Sequence, residues 1–312
     1  MKVLVTGADG FVGSHLLRAL RGRGDTVSAC GGPGGPNGVE ITDVAAVSAQ
    51  VANACPDAVI HLAGISSVAR SHAHASDTVA VNVVGAVNLL DAVREHAPRA
   101  RVLLIGSGEE YGRIPAGRRA SESDPLSPLS PYAASKVAVE VIARQAMDAY
   151  GLDVILVRPF NHLGPGQAPH FVIPSFAQQL LHIARGEQPP VVSVGDLSPV
   201  RDFTHVLDVV DAYLLLLGRG NRGETYNVCS GEGLSIQGAL DKLQKLAGTR
   251  AEIRVEPERL RPAEIPWLVG DPARTERLGW SRRRSIDRAL SDILDSLGEA
   301  PFGQSSESSS TR

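Results

Sequence analysis

Tyr132 and Lys136, in the stretch Pro131-Tyr132-Ala133-Ala134-Ser135-Lys136, are the pair in this chain best suited to moving a proton. Positions i and i+4 of a helix share one face, so helical backbone would set a phenol beside an ammonium. A cation within about 4–6 Å favours the phenolate and would draw the tyrosine toward neutral pH. A phenol tuned in this way can exchange a proton with a carbonyl oxygen. Ser107, in Gly106-Ser107-Gly108-Glu109-Glu110-Tyr111-Gly112, adds a hydroxyl to this chemistry, and Glu109 a carboxylate. Y-x-x-x-K also arises by chance in many helices. Its weight here comes from Ser107 and from the glycines at positions 7, 10 and 13.

The elements that must position these groups follow from the residue pattern. Residues 2–6 form a short apolar run of the kind found in a strand buried on both faces. Gly7-Ala8-Asp9-Gly10-Phe11-Val12-Gly13 follows directly, and then an apolar helical period over residues 11–20. A strand, a glycine turn and a helix in that order make a dinucleotide cradle. Glycines let the backbone approach a pyrophosphate, and the helix end offers free N–H groups. Gly7, Gly10, Phe11, Val12 and Gly13 are therefore the expected cofactor contacts, with spacing G-x-x-G-x-x-G rather than G-x-G-x-x-G. A second strand over 26–30 ends in Gly31-Gly32-Pro33-Gly34-Gly35, with neither an acid for ribose hydroxyls nor an arginine for a 2′-phosphate. The absence of an acid tilts the expectation toward NADP(H) over NAD(H).

Residues 39–43, with Glu40 and Ile41, read as a strand end flanking the adenine. A buried strand over 58–62 closes on Leu62-Ala63-Gly64, small enough to let a cofactor lie against the sheet edge. His61, inside that apolar run, reads as a packed core residue. His72 and His74 point to different helix faces, so no metal pair is expected. Residues 79–93 have helical spacing around Asn82. A strand over 102–105 ends at Ser107, and ligands of open parallel sheets bind beyond the carboxyl ends of strands. Residues 113–131 are rich in Pro, Ser, Arg and Gly and read as a long surface loop or lid. Pro131 then starts the helix bearing Tyr132, since proline suits a first turn.

Past a strand at 154–157 the alternation loosens. A polar segment over 158–167 precedes a helix at 174–185, a strand at 191–194 and a short edge at 200–204. The apolar helix at 207–217 and a strand at 226–228 should pack back on the first lobe, and 235–246 is helical. Arg259 and Arg261 are placed to meet a phosphate, which arginine matches bidentately. Arg282, Arg283 and Arg284 read as solvated charge. Residues 304–312 form a Ser-rich tail of disordered composition.

A chain of 312 residues can bury a large core and divide into two lobes. Its 43% hydrophobic and 21% charged residues are those of a globular protein, and its net charge of −3 offers no basic face for nucleic acid. It has no apolar run of about 18 residues, so no membrane span is expected. Three widely spaced cysteines suggest reduced thiols, and the early glycine turn does not fit a signal peptide, so a cytoplasmic location is expected.

Taken together over residues 1–297, these motifs resemble the extended short-chain dehydrogenase/reductases that act on nucleotide sugars. The glycine turn, Ser107, Tyr132 and Lys136 match the family's cofactor and catalytic motifs. Arg158-Pro159-Phe160-Asn161-His162-Leu163-Gly164-Pro165-Gly166-Gln167, Val200-Arg201-Asp202-Phe203-Thr204 and Arg259-Leu260-Arg261-Pro262-Ala263-Glu264 look most like the GDP-4-keto-6-deoxy-D-mannose reductase branch. The resemblance implies an α/β fold with a doubly wound parallel sheet. It implies a dinucleotide-binding lobe at 1–160, a nucleotide-sugar lobe at 161–300 and a tail at 301–312, with helix 205–218 and strand 225–228 joining the first lobe. It further implies a GDP-linked substrate held by Ser67, Asn161, Arg201 and Arg261, with Glu264 near the nucleotide ribose, and a homodimer through the helices of Asn82 and Tyr132. Two positions depart from the pattern. The adenine-side acid is Glu40 instead of aspartate, and the place of the aspartate acid of dTDP-glucose 4,6-dehydratases is Gly108. Glu109 occupies the place of the dehydratase base.

Overall fold

The computed structural model describes residues 1–35, 37–260 and 265–299. Five strands, β1 (Lys2–Thr6), β2 (Thr26–Cys30), β3 (Ala58–His61), β4 (Arg101–Ile105) and β5 (Asp153–Pro159), form a parallel sheet in the order β2-β1-β3-β4-β5, and Thr225–Val228 adds a sixth strand beside β5. The chain steps outward from β1 to β2 and then crosses back to β3. Strand order therefore reverses between β1 and β3, where open α/β sheets bind their ligands beyond the carboxyl ends.

Alternation along each strand feeds two cores. Leu4, Val59, Val102, Leu104 and Leu156 face the helices Val44–Ala54, Gly85–His96 and Pro131–Tyr150. Val3, Val5, Ile60, Leu103 and Ile155 face the helices Phe11–Gly22 and Val206–Arg219 on the other side. The helix Val206–Arg219 and the strand Thr225–Val228 thus complete the doubly wound lobe although they lie late in the chain.

A second lobe has its own core around Phe176, Leu180, Val192, Leu240, Leu243 and Ile293. Its main strand, Val200–His205, pairs with Asn161–Leu163, Gly233–Ser235 and Trp267–Leu268. The expected short edge at 200–204 is therefore the centre of this sheet. Its partners are only two or three residues long, which leaves no periodicity to read.

Three further expectations change. Residues 39–43 form no strand; among the described residues, one parallel bridge, Gly31 to Gly38, extends the sheet past β2. The Glu40 carboxylate accepts from Thr42 N–H (3.2 Å) and Thr42 Oγ1 (2.8 Å), a local turn that competes with a ladder. The polar stretch after Gly112 is a strap instead of a free lid. Ala120 N–H donates to Val269 O and Asp271 N–H to Ala120 O, both at 2.8 Å, and Ile114 and Ala120 are buried. Arg282 and Arg284 are not simply solvated. Arg282 pairs bidentately with Glu232, and Arg284 reaches the buried Asp208 at the start of helix Val206–Arg219. Arg261, Glu264 and the tail at 301–312 lie outside the described residues. Among the described residues, one helix, Ala75–His96, is long and apolar enough to cross a membrane, and half of its most apolar window is buried in the protein.

Candidate active site

The glycine turn fits a dinucleotide through what it cannot tolerate. Gly7 has φ +67°, and a Cβ there would lie 2.7 Å from Ala63 N and 2.8 Å from Leu62 C. A Cβ at Gly13 would lie 2.3 Å from the Gly7 carbonyl oxygen. Gly10 caps the helix Phe11–Gly22 with no side-chain hydrogen bond, which leaves its first N–H groups for a ligand. The turn thus sits against Leu62-Ala63 at the end of β3. Val12 is half-buried beside it. Phe11 points the other way, stacking on His162 at 5.9 Å, and His15 Nε2 hydrogen-bonds Pro165 O at 2.9 Å. The cradle helix therefore also holds the segment that opens the second lobe. Ile41 is buried against Gly85, its carbonyl accepting from Asn88 Nδ2 at 3.0 Å, while Glu40 is exposed.

Ser107 follows β4 and caps a short turn, Gly108–Tyr111. Its Oγ accepts from Glu109 N–H at 3.2 Å, and its own N–H donates to Glu110 Oε1 at 2.6 Å. The hydroxyl proton is left to donate onward, and Ser107 hydrogen-bonds the Tyr132 phenol strongly enough to pull the phenol's pKa down. Burial acts far more strongly in the opposite direction, and the charges of Glu109 and Glu110 add to it, so Tyr132 is held well above its ordinary value. The expected tuning by the helical neighbour is therefore absent. Lys136 Nζ donates to Ile105 O at 2.8 Å, and burial lowers the lysine to about 8 although Glu110 opposes the shift. At neutral pH the site holds a protonated phenol and an ammonium.

Asn82 completes this arrangement. A π-helical turn, Ala80–Val84, interrupts the helical run, and such bulges re-aim side chains. Asn82 Oδ1 accepts from Ile65 N–H (2.7 Å), and Nδ2 donates to Ile65 O (3.1 Å) and Ser135 Oγ (2.9 Å). Ser135 Oγ in turn donates to Tyr132 O at 2.7 Å. The carboxamide thus ties the segment after β3 to the helix that bears Tyr132 and Lys136. The signal for it was a lone amide inside an apolar helical period. Glu110 has a signal too: Ser-x-x-Glu, the capping-box spacing. His61 is a core residue, as its apolar setting suggested. It hydrogen-bonds Thr6 Oγ1 at 2.7 Å, and burial, aided by the Lys136 charge, lowers it to about 3.

On the sugar side, Ser67 caps the helix Val68–Ala73 by accepting from Arg70 N–H. Asn161 is exposed, pairs with Phe203, and follows Phe160, whose ring packs on Gly108. Arg201 is buried on the central strand of the second lobe, with Nη1 donating to Val200 O (3.0 Å) and Ile265 O (2.6 Å). Arg261 and Glu264 fall outside the described residues. No cluster of His, Cys, Asp or Glu able to hold a metal occurs among the described residues.

Residues 3–229 match the model of the NAD dependent epimerase/dehydratase family. The chain belongs to this family. It is 35% identical to a GDP-6-deoxy-D-mannose reductase of Pseudomonas aeruginosa, over 94% of this chain and 96% of that one. A solved structure of RMD from Pseudomonas aeruginosa with NADPH superposes with a TM-score of 0.86 at 34% identity, covering 95% of this chain and 99% of that chain. The Thermus thermophilus UDP-glucose 4-epimerase with NAD gives a TM-score of 0.88 at 30% identity, covering 96% and 100%. The chain is thus a nucleotide-sugar enzyme of the short-chain dehydrogenase/reductase type with a nicotinamide cofactor, and its fold is the doubly wound α/β fold expected.

Proposed function

We propose that the protein reduces the C4 ketone of a GDP-linked 4-keto-6-deoxy sugar, converting GDP-4-keto-6-deoxy-D-mannose to GDP-D-rhamnose or its talose epimer. Position 108 carries this reading against dehydration. A Cβ on Gly108 would lie 3.0–3.1 Å from three atoms of the Phe160 ring. An acid for a leaving hydroxyl, where a dTDP-glucose 4,6-dehydratase carries one, would here require the Phe160 ring to shift by a few tenths of an ångström, and the chain keeps glycine. What remains is a hydroxyl, a protonated phenol and an ammonium, a set that can protonate an oxygen.

The bound nicotinamide supplies hydride to C4. Tyr132 donates its proton to the oxygen at C4, and Ser107 hydrogen-bonds that oxygen and holds it near the phenol. Lys136 carries its charge beneath the site and serves the nicotinamide ribose. General acid help of this kind contributes ~10²–10⁴-fold. Asn161, Arg201, Arg261 and Ser67 are the proposed sugar-nucleotide contacts, with Glu264 at the ribose. The functional division places the cofactor lobe at 1–160, with helix 205–218 and strand 225–228, and the sugar lobe at 161–300. A homodimer would use the helices of Asn82 and Tyr132, which leave Val79, Val84 and Val141 exposed.

Glu109 favours a second reading, in which it acts as the base of a GDP-mannose-type dehydratase, because its charge reaches the Tyr132 phenol. A 4-epimerase would use the same Ser107, Tyr132 and Lys136. The three part on stoichiometry. A reductase consumes one NAD(P)H per product, which absorbance at 340 nm follows directly with a GDP-4-keto-6-deoxy sugar. Product without net loss of NAD(P)H would reject the reductase.

A further inference from the structure

The end of β2 looks bare in sequence, yet in the folded chain it carries an acid. Asp9, the third residue of the glycine turn, directs its carboxylate across to that strand end. Gly32 N–H donates to Asp9 Oδ2 at 2.9 Å and to Oδ1 at 3.1 Å. The turn is pinned there by a second bond, from Ala8 N–H to Cys30 O at 3.0 Å. Gly31 is the first residue past β2, the place from which a ribose-binding acid ordinarily hangs. A Cβ on Gly31 would lie 2.9 Å from Asp9 Oδ2. A side chain at position 31 would push the Asp9 carboxylate aside, and in this chain the glycine leaves the space to Asp9.

No cation offsets that acid from the neighbouring chain. Residues 24–69, which run from before β2 to beyond the end of β3, contain no lysine and no arginine, while Glu40 and Asp43 lie within them. Asp9 is exposed, so it is available to a ligand.

We infer that Asp9 is the residue that selects the cofactor, accepting hydrogen bonds from the free ribose hydroxyls of NAD(H) and repelling the 2′-phosphate of NADP(H). The inference rests on the reading that the dinucleotide lies across the Gly7–Gly13 turn with its adenosine at β2. It also reverses the preference expected from the bare loop, where only the local sequence was visible. A carboxylate and a phosphate held roughly 5 Å apart at a wet rim repel by enough to change affinity about tenfold, and salt weakens the effect.

The test is binding of NADH and of NADPH to the full chain, followed by nicotinamide fluorescence at low and at high salt, with no sugar present. The wild type should bind NADH at least about tenfold tighter than NADPH, and salt should narrow the ratio. Asp9→Asn keeps an acceptor for Gly32 N–H but removes the charge. It should tighten NADPH about tenfold and weaken NADH, whose ribose hydroxyls lose a charged acceptor, by less than that. Asp9→Ala, which loses both, should shift the ratio the same way and also weaken NADH. Equal affinities in the wild type, a preference for NADPH, or an unchanged ratio in Asp9→Asn would overturn the role of Asp9 while leaving the fold's use of a dinucleotide intact. Failure of either cofactor to bind the wild type would overturn the functional reading itself.

Discussion

Two sets of buried ionisable groups share the loop at 107–111, and they are treated in opposite ways. Behind the loop, Arg158 donates to both oxygens of Glu140 at 2.8 and 2.7 Å, to Tyr111 Oη at 2.9 Å, and lies 3.3 Å from Glu110 Oε2. Tyr111 Oη donates in turn to Asn227 Oδ1 at 2.7 Å. In front of the loop, Lys136 has one carbonyl and Tyr132 has Ser107. The rear set answers its charges; the front set is left with shifted protonation. Burial and the Glu140 charge push Glu110 well above the usual carboxylate range, with Arg158 opposing, and its side chain bridges the two sets, accepting from Ser107 N–H in front and lying against Arg158 behind. The contrast separates groups that hold the loop from the groups proposed to act on a substrate.

The largest expected effect comes from breaking the rear set. Arg158→Met would leave the buried Glu140 with only the half-exposed Arg144 at 3.9 Å, and breaking a buried pair costs about 3–5 kcal/mol of stability. Denaturant unfolding measures it. Arg158→Met combined with Glu140→Met should recover most of the loss, because replacing a buried pair by apolar groups is often neutral. A single variant as stable as the wild type would mean that the rear set carries no structural load.

Tyr132→Phe tests the front set and should do the converse. Turnover should fall at least ~10²-fold while NAD(P)H still binds and the unfolding midpoint moves little, because the phenol proton is used only on the substrate. If instead stability fell and turnover held, the two sets would have been assigned the wrong way round.

The difference between the sets also explains what could be read before folding. Gly7, Gly13, Ser107, Tyr132 and Lys136 are legible because each lies within a few residues of the strand or helix that places it, so local spacing carries the geometry. The Arg158 cluster unites residues 110, 140 and 158, and Asp9 meets Gly32 across two strands; neither pairing leaves a local trace. The protonation of Tyr132 runs opposite to what its local spacing implies for the same reason. The helical neighbour was visible, while the burial that outweighs it is a property of the whole fold. The central strand Val200–His205 was hidden because its partners come from three separate segments.

The smallest effect expected is in the pH profile. Lys136 is held at about 8, so its ammonium is lost as pH rises through that value. The kcat/KM, which reports the free enzyme, should be about halved at pH 8 and fall about tenfold per unit above it. Stability should move the other way. Unfolding returns Lys136 to its ordinary value of 10.5, so between about 8 and 10 the unfolded chain binds the proton that the folded chain has released. Lys136 therefore adds stability as pH rises from about 8, until near 9 the buried thiols of Cys30 and Cys229, both held above their ordinary 9.0, begin to take it away. His61, at about 3, stays neutral throughout and adds nothing to either curve. Between pH 8 and 9, falling activity without falling stability separates titration of Lys136 from simple alkaline unfolding, in which both would fall together. A kcat/KM that stays flat from pH 7 to 9 would mean that the site works without the lysine's charge.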